Sequence, residues 1–193
     1  PWDNLRFDME GLQEVRRKFF GTLHNTYAFF ALYANVDGFR YEEADIPLHE
    51  RPEMDQWILS ELHSLIAKVE DGMEAFEPTR AFRPIQEFTT EKLSNWYVRL
   101  GRRRFWKGAY EADKISAYQT LWTCLETLSR LMAPLAPFYA DQLYTDLHKG
   151  IAKTGETSVH LTDFPAVHAQ AVNAPLEKKI NLARQLTSMV LSI

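Results

Sequence analysis

The chain has 193 residues, of which 46% are hydrophobic and 13% aromatic, enough for one compact domain with a packed core and too rich for a disordered chain. A formal net charge of −4 means that any nucleic-acid binding must come from a local patch rather than from the overall field. The single cysteine, Cys124, excludes a disulfide framework or a cysteine zinc site within the chain and fits a reduced setting.

Apolar residues recur at helical spacing along most of the chain. The first helix is expected from about Met9 to Asn35, with Leu12, Val15, Phe19, Leu23, Tyr27, Phe30 and Ala34 on one face and Arg16, Arg17 and Lys18 away from it. Asp37-Gly38 supplies the stop, because glycine takes the left-handed conformation a helix end needs. A polar, acidic connection follows. Glu42, Glu43, Asp45, Glu50, Glu53 and Asp55 read there as a solvated surface.

The second helix is expected from Pro52 to Phe76, with the stripe Met54, Trp57, Ile58, Leu62, Leu65, Ile66, Val69, Met73 and Phe76. Glu53, Ser60, Lys68 and Glu74 fall on the opposite face. Pro78 forces a turn. The third helix is expected from Thr79 to Gly101, kinked near Pro84, with Phe88, Trp96 and Leu100 near one face. The fourth begins near Asp113, a suitable N-cap, and runs through Leu121, Leu125 and Leu128 until Pro134. A shorter helix spans Phe138 to Leu147. Ser158 to Pro165 (SVHLTDFP) reads as an ordered extended crossing, and Asn173-Ala174-Pro175 starts a last helix. The predicted fold class is all-α, an antiparallel helical bundle with a short extended crossing at 158–165.

Catalytic chemistry is hard to find. The eight glycines form no phosphate-binding loop. None of the six histidines (His24, His49, His63, His148, His160, His168) lies three or four residues from another, so helical metal-ligand spacing is absent. Glu61-Leu62-His63 has the wrong step for a carboxylate di-metal site. No catalytic residue and no metal ligand is assigned. No apolar run is long enough for a transmembrane helix and no signal peptide is visible, so a cytoplasmic location without a membrane partner is expected. The chain opens without Met and stops at Ile193 inside a helical pattern, and both ends read as cuts.

One segment stands out: Leu93 to Lys107, LSNWYVRLGRRRFWK. Arg99, Arg102, Arg103, Arg104 and Lys107 carry five positive charges without an intervening acid, interleaved with Trp96, Tyr97, Phe105 and Trp106. If the helix continues through Gly101, Arg99, Arg102, Arg103 and Trp106 share one face. Arginine forks onto phosphate and aromatic rings stack on unpaired bases, so the patch suits RNA. Residue types alone divide evenly between that reading and an intramolecular one, in which some arginines neutralise the acidic second helix or dock a neighbouring domain. Arg16 and Arg17 form a smaller basic group.

These stretches resemble a known family. Pro1 to Phe7 (PWDNLRF) is similar to the segment leaving the catalytic module of isoleucyl-tRNA synthetases. Lys18 to Phe39 (KFFGTLHNTYAFFALYANVDGF) resembles the start of their anticodon-binding bundle. Asn95 to Trp106 (NWYVRLGRRRFW) is similar to the aromatic-arginine signature shared by the isoleucine, valine and leucine enzymes of class I, and SVHLTDFP to their closing crossing. The first helix draws the resemblance to isoleucine rather than to the valine or leucine type.

The resemblance implies a noncatalytic tRNA-binding domain of an ATP- and magnesium-dependent isoleucine-tRNA ligase. Its HIGH and KMSKS motifs lie on a catalytic module that is absent here, so this chain needs no cofactor of its own. The implied partners are tRNA(Ile) and that module. The implied RNA contacts are Arg99, Arg102, Arg103, Arg104, Trp106 and Lys107, with Arg16 and Arg17. The implied layout is 1–8 leaving the catalytic module, 9–149 the bundle, 150–172 the crossing and 173–193 the start of a C-terminal element. The competing reading is a structural module that braces the catalytic core.

Overall fold

The computed structural model describes residues 8–191; the segment Pro1 to Phe7 lies outside the described residues. Six helices and three short 3-10 turns are present among them, and no β-strand. Helix α1 (9–37) is continuous through Met9–Val15, a π-helical turn Arg16–Phe20 and Gly21–Asp37. Helix α2 is Glu53–Glu74. Helix α3 (78–106) joins Pro78–Glu87, a π-helical stretch Phe88–Val98 and Arg99–Trp106. Helices α4 (Ala112–Met132), α5 (Pro137–His148) and α6 (Ala174–Leu191) complete the chain.

The ends follow from local chemistry. Asp8 caps α1 by accepting the backbone N–H groups of Glu10 and Gly11 at 3.0 and 3.1 Å. Gly38 ends that helix at φ 71°. Pro78 sits in the first turn of α3, and Asn173 caps α6 through the Leu176 N–H at 3.1 Å. Asp113, expected as the N-cap of α4, lies inside its first turn, and Glu111 holds the cap position without a side-chain bond. Pro84 does not end α3: the helix runs on for 22 residues, to Trp106.

Helices α1 and α3 run one way, α2 and α4 the other. Asp37, Asp55, Arg104 and Lys114 gather at one end of the bundle, while Phe20 meets Tyr139 at the other with rings 5.1 Å apart. The core is built from the predicted faces of α2 and α4: Trp57, Ile58, Leu62, Leu65, Ile66 and Val69 meet Leu121, Leu125 and Leu128, all buried. Helix α4 is central and touches α1, α2, α3 and α5. The acidic connection 39–51 is pinned over it. The Gln119 amide accepts the Ile46 N–H and donates to the Ala44 carbonyl, both at 3.0 Å, and Arg51 reaches Thr120 at 2.7 Å.

Further expectations need correction. Met73 and Phe76, placed on the apolar stripe of α2, are 37% and 81% exposed, and Phe76 lies beyond the helix end. Leu12 and Val15 are 54% and 45% exposed, because the first turns of α1 extend beyond the core. Leu100 is exposed while Leu93, Tyr97 and Val98 are buried. The π-helical stretch bonds i to i+5, so its buried positions step by five and four (88, 93, 97/98) instead of three and four. Ser60, placed on the outer face of α2, is buried beneath α6, where it donates to Glu177. The 158–165 crossing is extended at Ser158 and Thr162 but turns through a 3-10 segment, Val159–Leu161, held by Asp141, which accepts from Ser158 Oγ and the Val159 N–H.

Candidate nucleic-acid interface

The basic segment occupies the last two turns of α3. Helix geometry continues through Gly101, so Arg99–Trp106 is one α-helical stretch. Successive side chains rotate by about 100°. With Arg104 as origin, Arg103 lies about 100° away, Arg99 about 140°, and Arg102 and Trp106 about 160°. Arg104 points into the bundle, and the other four therefore point out. Arg99, Arg102, Arg103 and Lys107 are exposed and Trp106 is 51% exposed. None of these five side chains has a hydrogen-bonding, ionic or ring partner among the described residues.

Arg104 behaves differently from its neighbours. Its side chain is 18% exposed, and its fork embraces Asp55, Nη1 to Oδ1 at 2.6 Å and Nη2 to Oδ2 at 2.9 Å. Nε donates to Asp113 Oδ2 at 3.0 Å and Nη2 to the Asp113 carbonyl at 2.8 Å. Asp55 is fully buried and also accepts from Tyr97 Oη at 2.8 Å and Ser116 Oγ at 2.6 Å. Burial opposes the charge on Arg104, but the hydrogen bonds to Asp55 and the charge of that carboxylate outweigh it and raise its pKa. Burial, with Asp55 beside it, keeps the Tyr97 hydroxyl neutral and donating.

Two expectations change here. Asp55 is no part of a solvated acidic surface. Arg104, grouped by sequence with the RNA contacts, is a structural cation with its fork spent on carboxylates. The signal for Asp55 was available: it stands three residues before Ile58 and seven before Leu62, on the apolar stripe itself. An acid at a core position demands a buried cation.

Phe105 follows Arg104 into the core, 1% exposed, edge-on to Phe29 and Tyr118 at 5.1 and 5.2 Å. Trp96 is half-buried beneath α6, with the Arg184 guanidinium 6.0 Å from its ring centre. Arg16 and Arg17 are exposed on the π-helical turn of α1, which touches the π-helical stretch of α3. Level with Phe105, α1 presents Phe29; Arg17 is twelve residues back, about 18 Å along the axis at 1.5 Å per residue. The two basic groups are therefore separate, and the structure does not merge them into one patch.

The description "Anticodon-binding domain of tRNA ligase" belongs to a family model that matches residues 55–193. Over all 193 residues the chain is 57% identical to isoleucine-tRNA ligase of Bacteroides thetaiotaomicron and 58% identical to that of Bacteroides fragilis. Isoleucine-tRNA ligase of Thermococcus kodakarensis is 40% identical over 189 residues, 96% of the chain. The chain spans 17% of the length of each of these relatives.

Proposed function

The chain belongs to the anticodon-binding domain family of tRNA ligases, and from that premise we propose that it binds the anticodon arm of tRNA(Ile) within a longer cytoplasmic isoleucine-tRNA ligase. In this reading 1–8 lead out of the catalytic module, 9–149 form the RNA-binding bundle, 150–172 close it, and 173–193 begin a C-terminal element. ATP and magnesium serve the catalytic module, where isoleucine is activated and joined to tRNA. Among the described residues no three or more His, Cys, Asp or Glu side chains gather to hold an ion, and no helix is long and apolar enough to cross a membrane. What the bundle contributes is grip and orientation.

The observation that carries this reading is the outward face of α3: Arg99, Arg102 and Arg103 with Lys107 beside them, exposed and without a carboxylate partner among the described residues, around a half-exposed Trp106. Arginines in that state present their forks to phosphate. The indole of Trp106 offers a stacking face to an unpaired base. Arg16 and Arg17 supply a second, weaker contact on α1.

The test is a filter-binding titration with tRNA(Ile) and a noncognate tRNA across a salt series. With about three to five phosphate contacts, log affinity falls against log salt with a slope of roughly −2 to −5. Changing Arg102 and Arg103 together to Ala flattens the slope by about one to two units. Intact folding with unchanged affinity removes these residues from the interface.

A further inference from the structure

The end of α3 is an unpromising place for a rigid binding surface. Gly101 lies within it, and glycine is a weaker helix former than alanine. A Cβ at Gly101 would meet nothing within 4 Å, so no steric contact requires the glycine. Beyond it one further turn remains before Lys107 leaves the helix at φ −118°, ψ 158°. Arg99, Arg102 and Arg103 lie three and four residues apart and repel one another. Helix ends of this kind fray.

Two consecutive residues in that last turn are fastened. Arg104 binds the first turn of α2 through Asp55 and the first turn of α4 through Asp113, and Phe105 is buried between α1 and α4. The fork of Arg104 is planar and meets both Asp55 oxygens, so it fixes direction as well as distance. Tyr97 binds the same carboxylate from two turns earlier in α3. Asp55 thereby holds α3 on both sides of Gly101, which prevents the final turn from rotating against the rest of the helix.

Resting on the tRNA-binding reading above, we propose that Asp55 and Arg104 are positioning residues for the RNA interface: they touch no RNA, and by holding α3 across Gly101 they aim Arg99, Arg102, Arg103 and Trp106 at it. The proposal has a signed consequence. Asp55 is a negative charge behind a cationic face, so simple electrostatics makes its neutralisation tighten RNA binding. Positioning makes the same change weaken it, because the arginine face loses its fixed direction.

The experiment uses the full-length protein that carries this domain, with tRNA(Ile) as ligand. Asp55→Asn, Arg104→Lys and the Arg102→Ala/Arg103→Ala pair are compared by filter binding, thermal melt, and the KM for tRNA against kcat in aminoacylation. Asp55→Asn is expected to weaken tRNA affinity by about five- to tenfold and flatten the salt slope by about one unit, the equivalent of one misdirected phosphate contact. The KM for tRNA rises by a similar factor and kcat at saturating tRNA stays within about twofold, an effect of aim that persists only until the complex is formed. Arg104→Lys keeps the charge but not the fork and gives the same split. Adding Gly101→Ala to Asp55→Asn stiffens the helix without the clamp and restores part of the lost affinity, a rescue that a purely structural pair does not show.

Affinity equal to or tighter than wild type in a folded Asp55→Asn protein overturns the proposal. So does a folded Arg104→Lys protein with normal affinity. Loss of folding in both single variants also overturns it, because the pair then holds the domain together rather than aiming the helix. If the Arg102/Arg103 double variant binds normally, the tRNA-contact reading itself fails. If the double variant is weak and Asp55→Asn is normal, only the positioning role fails.

Discussion

His63 of α2 accepts the backbone N–H of His168 through Nδ1 at 3.2 Å, with the two rings 5.1 Å apart and edge to face. That bond needs the neutral imidazole. Partial burial, and then the charge of His168, pull the His63 pKa down to about 4. Between that value and the ordinary histidine pKa near 6.5 the unfolded chain binds a proton that the folded chain refuses. The stabilising contribution is therefore complete above about pH 6.5 and is lost as pH falls towards 4. Thermal melts of the wild type and of His63→Asn, which keeps an acceptor but cannot titrate, are expected to diverge over that window, with the wild type falling more steeply. Parallel profiles defeat the assignment.

Packing gives the second prediction. Leu65→Ala opens a cavity in the centre of the bundle and costs about 2–5 kcal/mol; Leu65 is 3% exposed. Leu12 carries the same side chain on the predicted stripe of α1 but is 54% exposed. Leu12→Ala is expected to stay within about 0.5 kcal/mol. Urea denaturation of the two variants measures the contrast, and equal costs show that the start of α1 packs more tightly than the structure has it.

That contrast marks what the sequence discloses about this fold. Helix count, order and most of the core were legible, because α2 and α4 keep a regular apolar period against a two-sided core. Periodicity does not say how far the core extends, so Leu12 and Val15 were misplaced. It also assumes a constant turn. The π-helical stretch of α3 breaks that assumption and moves Leu100 outside and Val98 inside. For the candidate interface, residue types singled out one segment, and the outward placement of Arg99, Arg102, Arg103 and Trp106 followed from helix continuity alone. The inward turn of Arg104 did not, since adjacent arginines are indistinguishable until an acid on another helix is seen to claim one. Asp55 was the missing half, hidden in a run of acids that all looked like surface.

Gly72 gives the third prediction. It lies in α2 where α3 crosses, and a Cβ there would stand 2.7 Å from the Ala81 nitrogen and 2.8 Å from its Cα. In an unobstructed helix Gly→Ala stabilises by about 1 kcal/mol. At Gly72 the new methyl group meets backbone that has no rotamer to yield, and overpacking of this kind costs about 1–3 kcal/mol. Gly72→Ala is expected to lower the melting temperature. A rise shows that α2 and α3 have room to separate.

Helix α6 gives the fourth. Its first two turns are fastened to α2: Leu176 and Ile180 are buried, and Glu177 accepts from Ser60 and Ser64 at 2.5 and 2.8 Å. Arg184 still reaches the Glu91 carbonyl at 3.3 Å. Leu186, Met189 and Val190 farther along are exposed. In the 193-residue chain, amide hydrogen exchange is expected to be slow around Ile180, and faster after Arg184 than at Leu62 to Val69 of α2. Uniform protection along α6 contradicts that gradient.

The π-helical stretch Phe88–Val98 also sets a rule for how this sequence can change in length. Everything after it, from Arg99 to Trp106, inherits its angular phase. Removing or adding one residue within 88–98 turns the downstream segment by about 100° unless the local winding adjusts. A deletion would swing the guanidinium of Arg104 off Asp55, leaving a buried carboxylate unmatched. Apart from Lys92 and Tyr97, which bind the buried carboxylates of Glu61 and Asp55, replacements in this stretch face the usual demands of a core helix, while changes in residue number face a rotational one. The segment thus tolerates substitution far better than insertion, and it ends immediately before Arg99, the first of the cations whose direction it governs.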